Sequence, residues 1–280
     1  MNALEIKDLC KSYPGFELDK LSLTLPSGCI MGLVGENGAG KSTTIKLILD
    51  MVRRDGGDIR ILGRDSRENH LLTREELGVV LDEVGIPGCL NVKQVSKVMG
   101  RSFKTWDDEK YAQLLTKLSL PEDKPFKDFS RGMKMKLGIA VALSHDSKLL
   151  ILDEATSGLD PVVRDEVVEM FMDFTREADH SILISSHIVS DLEKLCDYIA
   201  FLHKGRLLLC EEKDELLSKY GLVRCSAEEL EAIPAEAILH SRLNPYGAEA
   251  LVLKKAVPQG FELCPVSIEE LFVSMVKEVS

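Results

Sequence analysis

The sequence of 280 residues carries 46 acidic against 35 basic side chains, a formal net charge of −11, so it lacks the positive balance that general attraction to nucleic acid or anionic lipid requires. Its uninterrupted apolar runs, such as 149–152 and 199–202, fall far short of the ~20 residues of a membrane-spanning helix, and no basic segment with an apolar core marks the first residues, so the expected location is the cytoplasm. Seven cysteines (Cys10, Cys29, Cys89, Cys196, Cys210, Cys225, Cys264) form an odd set without CxxC spacing, which argues against a disulfide framework or a zinc site and for reduced, mostly buried thiols.

Between Leu4 and Leu25 apolar residues tend to alternate, and Tyr13-Pro14-Gly15 interrupts them, which predicts an antiparallel strand pair. Tyr13 is placed either to stack on a purine ring or to pack on its own sheet. The apolar run 29–34 predicts a buried strand, and Ile45, Ile48 and Leu49 recur at helical spacing beyond it. Between them lies Gly35-Glu36-Asn37-Gly38-Ala39-Gly40-Lys41-Ser42, a glycine-rich loop feeding a helix. The glycines let backbone N–H groups turn inward around phosphates, and the helix N-terminus adds positive partial charge. Lys41 neutralises more of the negative charge, and the Ser42 hydroxyl is suited to Mg²⁺. Gly35, Asn37, Gly38, Ala39, Gly40, Lys41, Ser42 and Thr43 are therefore the candidate contacts to a nucleoside triphosphate.

A turn at 53–58 precedes a short strand at 59–62, and another strand at 77–81 ends at Asp82-Glu83, followed by an irregular stretch broken by Gly85, Pro87 and Gly88. From Asn91 to Ser144 helical spacing replaces strands, which predicts a helical insert. Its third helix begins at Ser130, a capping residue in front of Arg131-Gly132-Met133-Lys134, where free N–H groups, a hydroxyl and basic side chains converge. Spacing alone favours an ordinary capped surface helix there, with a second anion site as the sharper alternative.

Leu149–Leu152 is the near-continuous apolar run of a strand buried on both faces of a parallel sheet, and it ends in Asp153-Glu154. Ligands of open α/β sheets bind at that edge. Asp153 is thus placed to hold Mg²⁺ and Glu154 to orient or deprotonate water, unless the pair is only a solvated strand end. Asp160 and Pro161 open the next helix, and the strand 181–185 ends at Ser186-His187 on the same predicted edge, so His187 is either catalytic or a satisfied structural residue. A helix at 189–196 and a hairpin centred on Lys204-Gly205 complete the main domain. Beyond Glu211 short helices and strands predict a small α+β appendage. It closes on a capping box, Ser267 to Glu270, and a helix whose Ile268, Leu271, Phe272, Met275 and Val276 form one apolar stripe, expected to dock on its own domain.

These pieces, in this order, resemble the ATP-binding subunits of ABC transporters over about residues 1–212. Gly35–Ser42 resembles the Walker A motif, Leu149–Glu154 the Walker B motif with its catalytic glutamate, Ser157–Asp160 the D-loop, and His187 the switch histidine. Phe129-Ser130-Arg131-Gly132-Met133 stands in place of the signature Leu-Ser-Gly-Gly-Gln, and Asp82 stands where the family has the glutamine of the Q-loop. Tyr13 stands where it stacks an aromatic on adenine. The resemblance implies an α/β fold: a P-loop NTPase core of ABC-ATPase type with an antiparallel β subdomain, a helical insert at about 84–145, and the α+β accessory region at 213–280. It implies ATP and Mg²⁺ as cofactors, with Ser42, Asp82 and Asp153 towards the metal, Glu154 as base, and His187 and Lys41 at the γ-phosphate. It implies that Ser130, Gly132 and Asp160 meet nucleotide across a homodimer or heterodimer of such subunits, bound peripherally to integral membrane subunits at the cytoplasmic face, with nucleic acid excluded. The single cassette and Ser-Arg-Gly-Met-Lys-Met-Lys look most like bacterial ABC-2-type exporters with separate membrane subunits. The alternatives are a soluble ABC-type ATPase without a membrane partner, or a regulatory subunit whose hydrolysis Asp82 and the altered signature have impaired.

Overall fold

The computed structural model describes residues 1–68, 70–245 and 247–279. The chain opens with β1 (Asn2–Tyr13), β2 (Phe16–Pro26), β3 (Ile30–Gly35) and α1 (Lys41–Ile48). It continues through β4 (Gly56–Ile61), β5 (Arg64–Asp65), α2 (His70–Glu75) and β6 (Leu77–Val80). Three helices follow, α3 (Val92–Ser102), α4 (Asp108–Lys117) and α5 (Arg131–Leu143), before β7 (Leu149–Asp153), α6 (Pro161–Phe174), β8 (Ser181–Ser185), α7 (Val189–Leu195), β9 (Tyr198–His203) and β10 (Arg206–Glu212). The tail holds α8 (Lys213–Lys219), β11 (Tyr220–Cys225), α9 (Ala227–Leu230), β12 (Ile238–Asn244), β13 (Gly247–Leu253), β14 (Leu263–Cys264) and α10 (Ile268–Val279).

The central sheet has the order β10-β9-β3-β8-β7-β6, parallel except for β10. Every residue of β3, β7 and β8 is buried, as their unbroken apolar runs require. Because strand side chains alternate between faces, these strands divide one hydrophobic interior into two layers. Met31, Leu33, Leu149 and Ile151 face the antiparallel sheet β2-β1-β4-β5 and α1, while Ile30, Val34, Leu150 and Leu152 face the helices α5, α6 and α7. The β1–β2 pairing is the antiparallel hairpin that the alternation predicted.

The parallel order sets the geometry of one edge. Asp153 pairs with Ser185 and Ser185 with Leu33, so β7 and β8 end level and β3 runs on to Gly35, and the segments that leave them emerge at one edge.

In the predicted insert, α3 and α4 begin with side-chain caps from Asn91 and Asp107. The third helix, α5, is shared with the main sheet. A Cβ on Gly138 would come within 3.4 Å of Val80 of β6 and 3.2 Å of Val84, so the bare backbone lets the helix lie close on the strand. In the tail the sheet β12-β13-β11-β14 has its own small core around Val223, Ala250 and Val252. The stripe on α10 goes further than docking within that appendage: Ile268, Leu271, Phe272 and Val276 join the large helical-layer core, and Phe272 meets Phe201 of β9 edge-on at 5.2 Å between ring centroids.

Candidate active site

The glycine-rich loop leaves β3 and turns directly into α1. Gly38 and Gly40 take φ of 82° and 113°, values that L side chains rarely adopt, and a Cβ on Gly40 would also stand 3.0 Å from Cζ of Phe16. No side chain caps α1, which leaves its first N–H groups facing the cavity outside the loop. Lys41, 6% exposed, donates from Nζ to the carbonyl oxygens of Gly35 at 2.6 Å and Glu36 at 3.2 Å. Burial holds its pKa below the usual lysine value, and the charges of Glu154 and Asp153 oppose that fall, which places both acids within electrostatic reach of the ammonium.

At the end of β7, Asp153 is buried and accepts a hydrogen bond from the Ser185 hydroxyl at 2.5 Å. Glu154 adopts a left-handed φ of 55°, costly for a residue with a side chain. The turn is held because the Glu154 N–H donates to the Ser185 carbonyl at 3.0 Å, and it aims the carboxylate back across the strand ends. There Oε2 accepts from Nδ1 of His187 at 2.5 Å and from the His187 backbone N–H at 3.3 Å. The carboxylate is 15% exposed and the imidazole 54%, so acid and histidine meet at the boundary between protein and solvent.

These groups surround one cavity of about 760 Å³, large enough for a nucleotide, lined by Asn37, Gly38, Gly40, Lys41, Ser42, Thr43, Asp82, Glu154 and His187 among others. The donor set fits a triphosphate: free N–H groups at a helix start, a buried ammonium, and glycines where a side chain would intrude. The Ser42 hydroxyl and the Asp153 carboxylate are hard oxygen donors of the kind Mg²⁺ takes. Gly35 and Ala39 form the buried base of the loop.

Other predicted residues stand apart. Tyr13 is exposed on the hairpin with Lys11 Nζ 5.3 Å from its ring centroid; its cross-strand neighbour Phe16 lines the cavity instead. Ser130 caps α5, its hydroxyl accepting from Met133 N–H at 3.2 Å, and Asp160 caps α6, accepting from Val163 N–H at 3.1 Å. Ser130, Gly132 and Asp160 are not among the described residues that line their own chain's cavity, and Ser130 and Asp160 are exposed.

Sequence reasoning missed three contributors. Phe16 was hidden in a strand pattern, and Ser185 gave no signal beyond being the last residue of its strand. Arg131 was read only as charge at a helix start, yet its guanidinium reaches Asp82 Oδ1 at 2.5 Å and Ser157 Oγ at 3.4 Å, and it lines the same cavity.

Comparison with known proteins finds one family. A family model described as "ABC transporter" matches residues 18–157. The chain is 32% identical to an uncharacterized ABC transporter ATP-binding protein, YhcH, of Bacillus subtilis, covering 93% of this chain and 87% of that protein. It is 38% identical to the lantibiotic transport ATP-binding protein SrtF of Streptococcus pyogenes, covering 75% of this chain and 91% of the relative. A solved structure described as an ATP binding subunit of an ABC transporter superposes with a TM-score of 0.70 at 28% identity, covering 76% of this chain and 91% of that one.

Proposed function

Since the chain belongs to the ATP-binding subunits of ABC transporters, we propose that its cavity hydrolyses ATP to drive an exporter, with Glu154 as the base that activates water. The observation that carries this is the fixed Glu154–His187 contact at the mouth of the phosphate loop. A carboxylate pinned by an N–H on one oxygen keeps the other free to take a proton from water, and the pinning removes the entropy of finding that orientation. His187 is largely exposed, and in its imidazolium form, with both ring nitrogens as donors, it can hold Glu154 and also hydrogen-bond a phosphate oxygen. Lys41 and the N–H groups of the loop stabilise negative charge on the triphosphate, and they do so without reorganising because the fold has already placed them. Mg²⁺, held by Ser42 and Asp153 with Asp82 nearby, would supply further neutralisation of phosphate charge.

Ser130 and Asp160, exposed and outside their own chain's cavity, suit a role in a facing subunit's site, where the start of α5 would present N–H groups and a hydroxyl to the γ-phosphate. The facing subunit is a second copy or a homologue. No described helix is long and apolar enough to cross a membrane. The relatives' role as transport ATP-binding proteins supports separate membrane subunits for the passage of cargo, reached through α3 and α4 and the loop after Asp82, at the inner membrane face. The relative SrtF is a lantibiotic transport ATP-binding protein, which supports cargo of that kind here.

The test is recovery of the tagged full chain from its native membranes in mild detergent. The expected assembly contains polytopic subunits and two ATP-binding cassettes; recovery of this chain alone, or with one cassette per assembly, would contradict the reading.

A further inference from the structure

The cavity is lined by three carboxylates, Glu36, Asp82 and Glu154, against two cationic side chains, Lys41 and Arg131. A polyanionic ligand entering such a space meets repulsion from every carboxylate that lacks a counter-charge. Glu154 is engaged by His187, whereas Asp82 stands at the rim with Arg131 as its ion-pair partner, 2.5 Å away. The nearby ammonium of Lys134 lies over the Phe126 ring, 5.4 Å from its centroid.

Two observations set this pair apart from an incidental surface contact. Its side chains are 60% and 47% exposed, too open to water for the pair to matter much to folding, so its placement on the cavity calls for another reason. The arginine stem also rests on the turn after β7: a Cβ on Gly158, whose φ is 77°, would stand 3.3 Å from Cδ of Arg131 and 3.6 Å from Nε, so the side chain lies along bare glycine backbone with the guanidinium reaching Asp82 and Ser157.

We propose that Arg131 is a positioning residue for the nucleotide site, holding Asp82 at the cavity rim and cancelling its charge so that the carboxylate does not repel the incoming triphosphate. The inference rests on reading the cavity as the ATP site and deepens it. Asp82 and Arg131 together present one acceptor and several N–H donors with no net charge, which is what a neutral amide at position 82 would offer. The negative charge at 82 is therefore tolerable only while position 131 is cationic.

The test is calorimetric titration of the full chain with ATP, with and without Mg²⁺, for the wild type, Arg131→Gln, Asp82→Asn and the double variant. Arg131→Gln exposes the carboxylate and is expected to weaken ATP binding about tenfold at low ionic strength, a difference that shrinks as salt is raised. Without Mg²⁺, where Asp82 acts on the nucleotide only through its charge, Asp82→Asn should bind at least as tightly as the wild type, and the double variant should return to within about twofold of it. Equal melting temperatures across the four proteins would confirm that the fold is not what changes. Unchanged affinity in Arg131→Gln, or a double variant as weak as Arg131→Gln alone, would overturn the proposal while leaving the ATP site intact. The ATP site itself is checked separately by loss of binding in Lys41→Ala, and a wild-type chain that bound no ATP would overturn both.

Discussion

In the proposed mechanism Glu154 concentrates the chemistry of the site in one strained residue. Its φ of 55° turns the carboxylate out of the line of β7 and onto Nδ1 of His187, so its position is set by the backbone rather than by chance rotamers. Without the imidazole the carboxylate can swing away from the cavity, and a misplacement of this kind costs on the order of 100-fold in rate. His187→Ala should therefore lower kcat by that amount with ATP affinity changed far less, as steady-state turnover and equilibrium titration will show. Lys41 is the converse case, because its buried ammonium already lies over the loop. Lys41→Ala removes a charge-assisted contact to phosphate of roughly 2–3 kcal/mol, so nucleotide affinity should fall about 30- to 150-fold, measurable with a fluorescent ATP analogue. The residues of this local kind were legible in the sequence. Glycine spacing, a lysine and a strand-end acid pair are read from neighbours in the chain. The Arg131–Asp82 contact was not legible, since the partners are 49 positions apart and only the packing of α5 against β6 brings them together.

Among elements, the junction of α2, α3 and α5 shows how the insert is anchored to the sheet. His145, just past α5, is 5% exposed, stacks on Phe103 at 4.0 Å between ring centroids, and places Nδ1 3.1 Å from the Glu75 carbonyl in α2, to which it donates. Burial pushes its pKa below the usual 6.5, aided by Lys110 and opposed by the Glu75 carbonyl and Asp146. The unfolded chain then takes up a proton at about pH 6.5 while the folded chain resists it until lower pH, so below 6.5 the unfolded state binds more protons and stability falls with pH. The urea midpoint should drop between pH 7 and pH 5, and His145→Gln, which keeps an N–H donor, should flatten that drop; parallel pH profiles would contradict the assignment. The helices α3 and α4 were foreseen from the helical spacing that begins at Asn91, and α6 from Asp160 and Pro161. The six-residue α2 was not, because it is too short to display a period.

At the scale of the molecule, the tail is more firmly joined than its change of character in the sequence suggested. The α10 stripe was visible as a stripe, but a periodic pattern does not say which surface will cover it, and here the cover includes Phe201 of the main sheet. Phe272 is 8% exposed, so Phe272→Ala should cost about 3 kcal/mol through lost burial and the cavity left behind. The single tryptophan, Trp106, sits in the insert and reports on the ATPase part, whereas far-ultraviolet dichroism reports on the whole chain. Both signals should shift to lower denaturant together; a shift confined to the dichroism would mean that the tail unfolds as an independent unit. The shared strand edge, by contrast, follows from what the sequence displayed: buried parallel strands ending in phosphate-loop glycines, paired acids and a histidine bring those ends together.

The central claim is that one cavity both holds ATP and hydrolyses it through Glu154. Its most direct test is Glu154→Gln, which keeps the side-chain length and a hydrogen-bonding oxygen but removes the base. The account predicts MgATP affinity within about threefold of the wild type, with turnover lowered by at least about 100-fold and intact ATP recovered from the protein after incubation. Turnover at the wild-type rate in Glu154→Gln would contradict it.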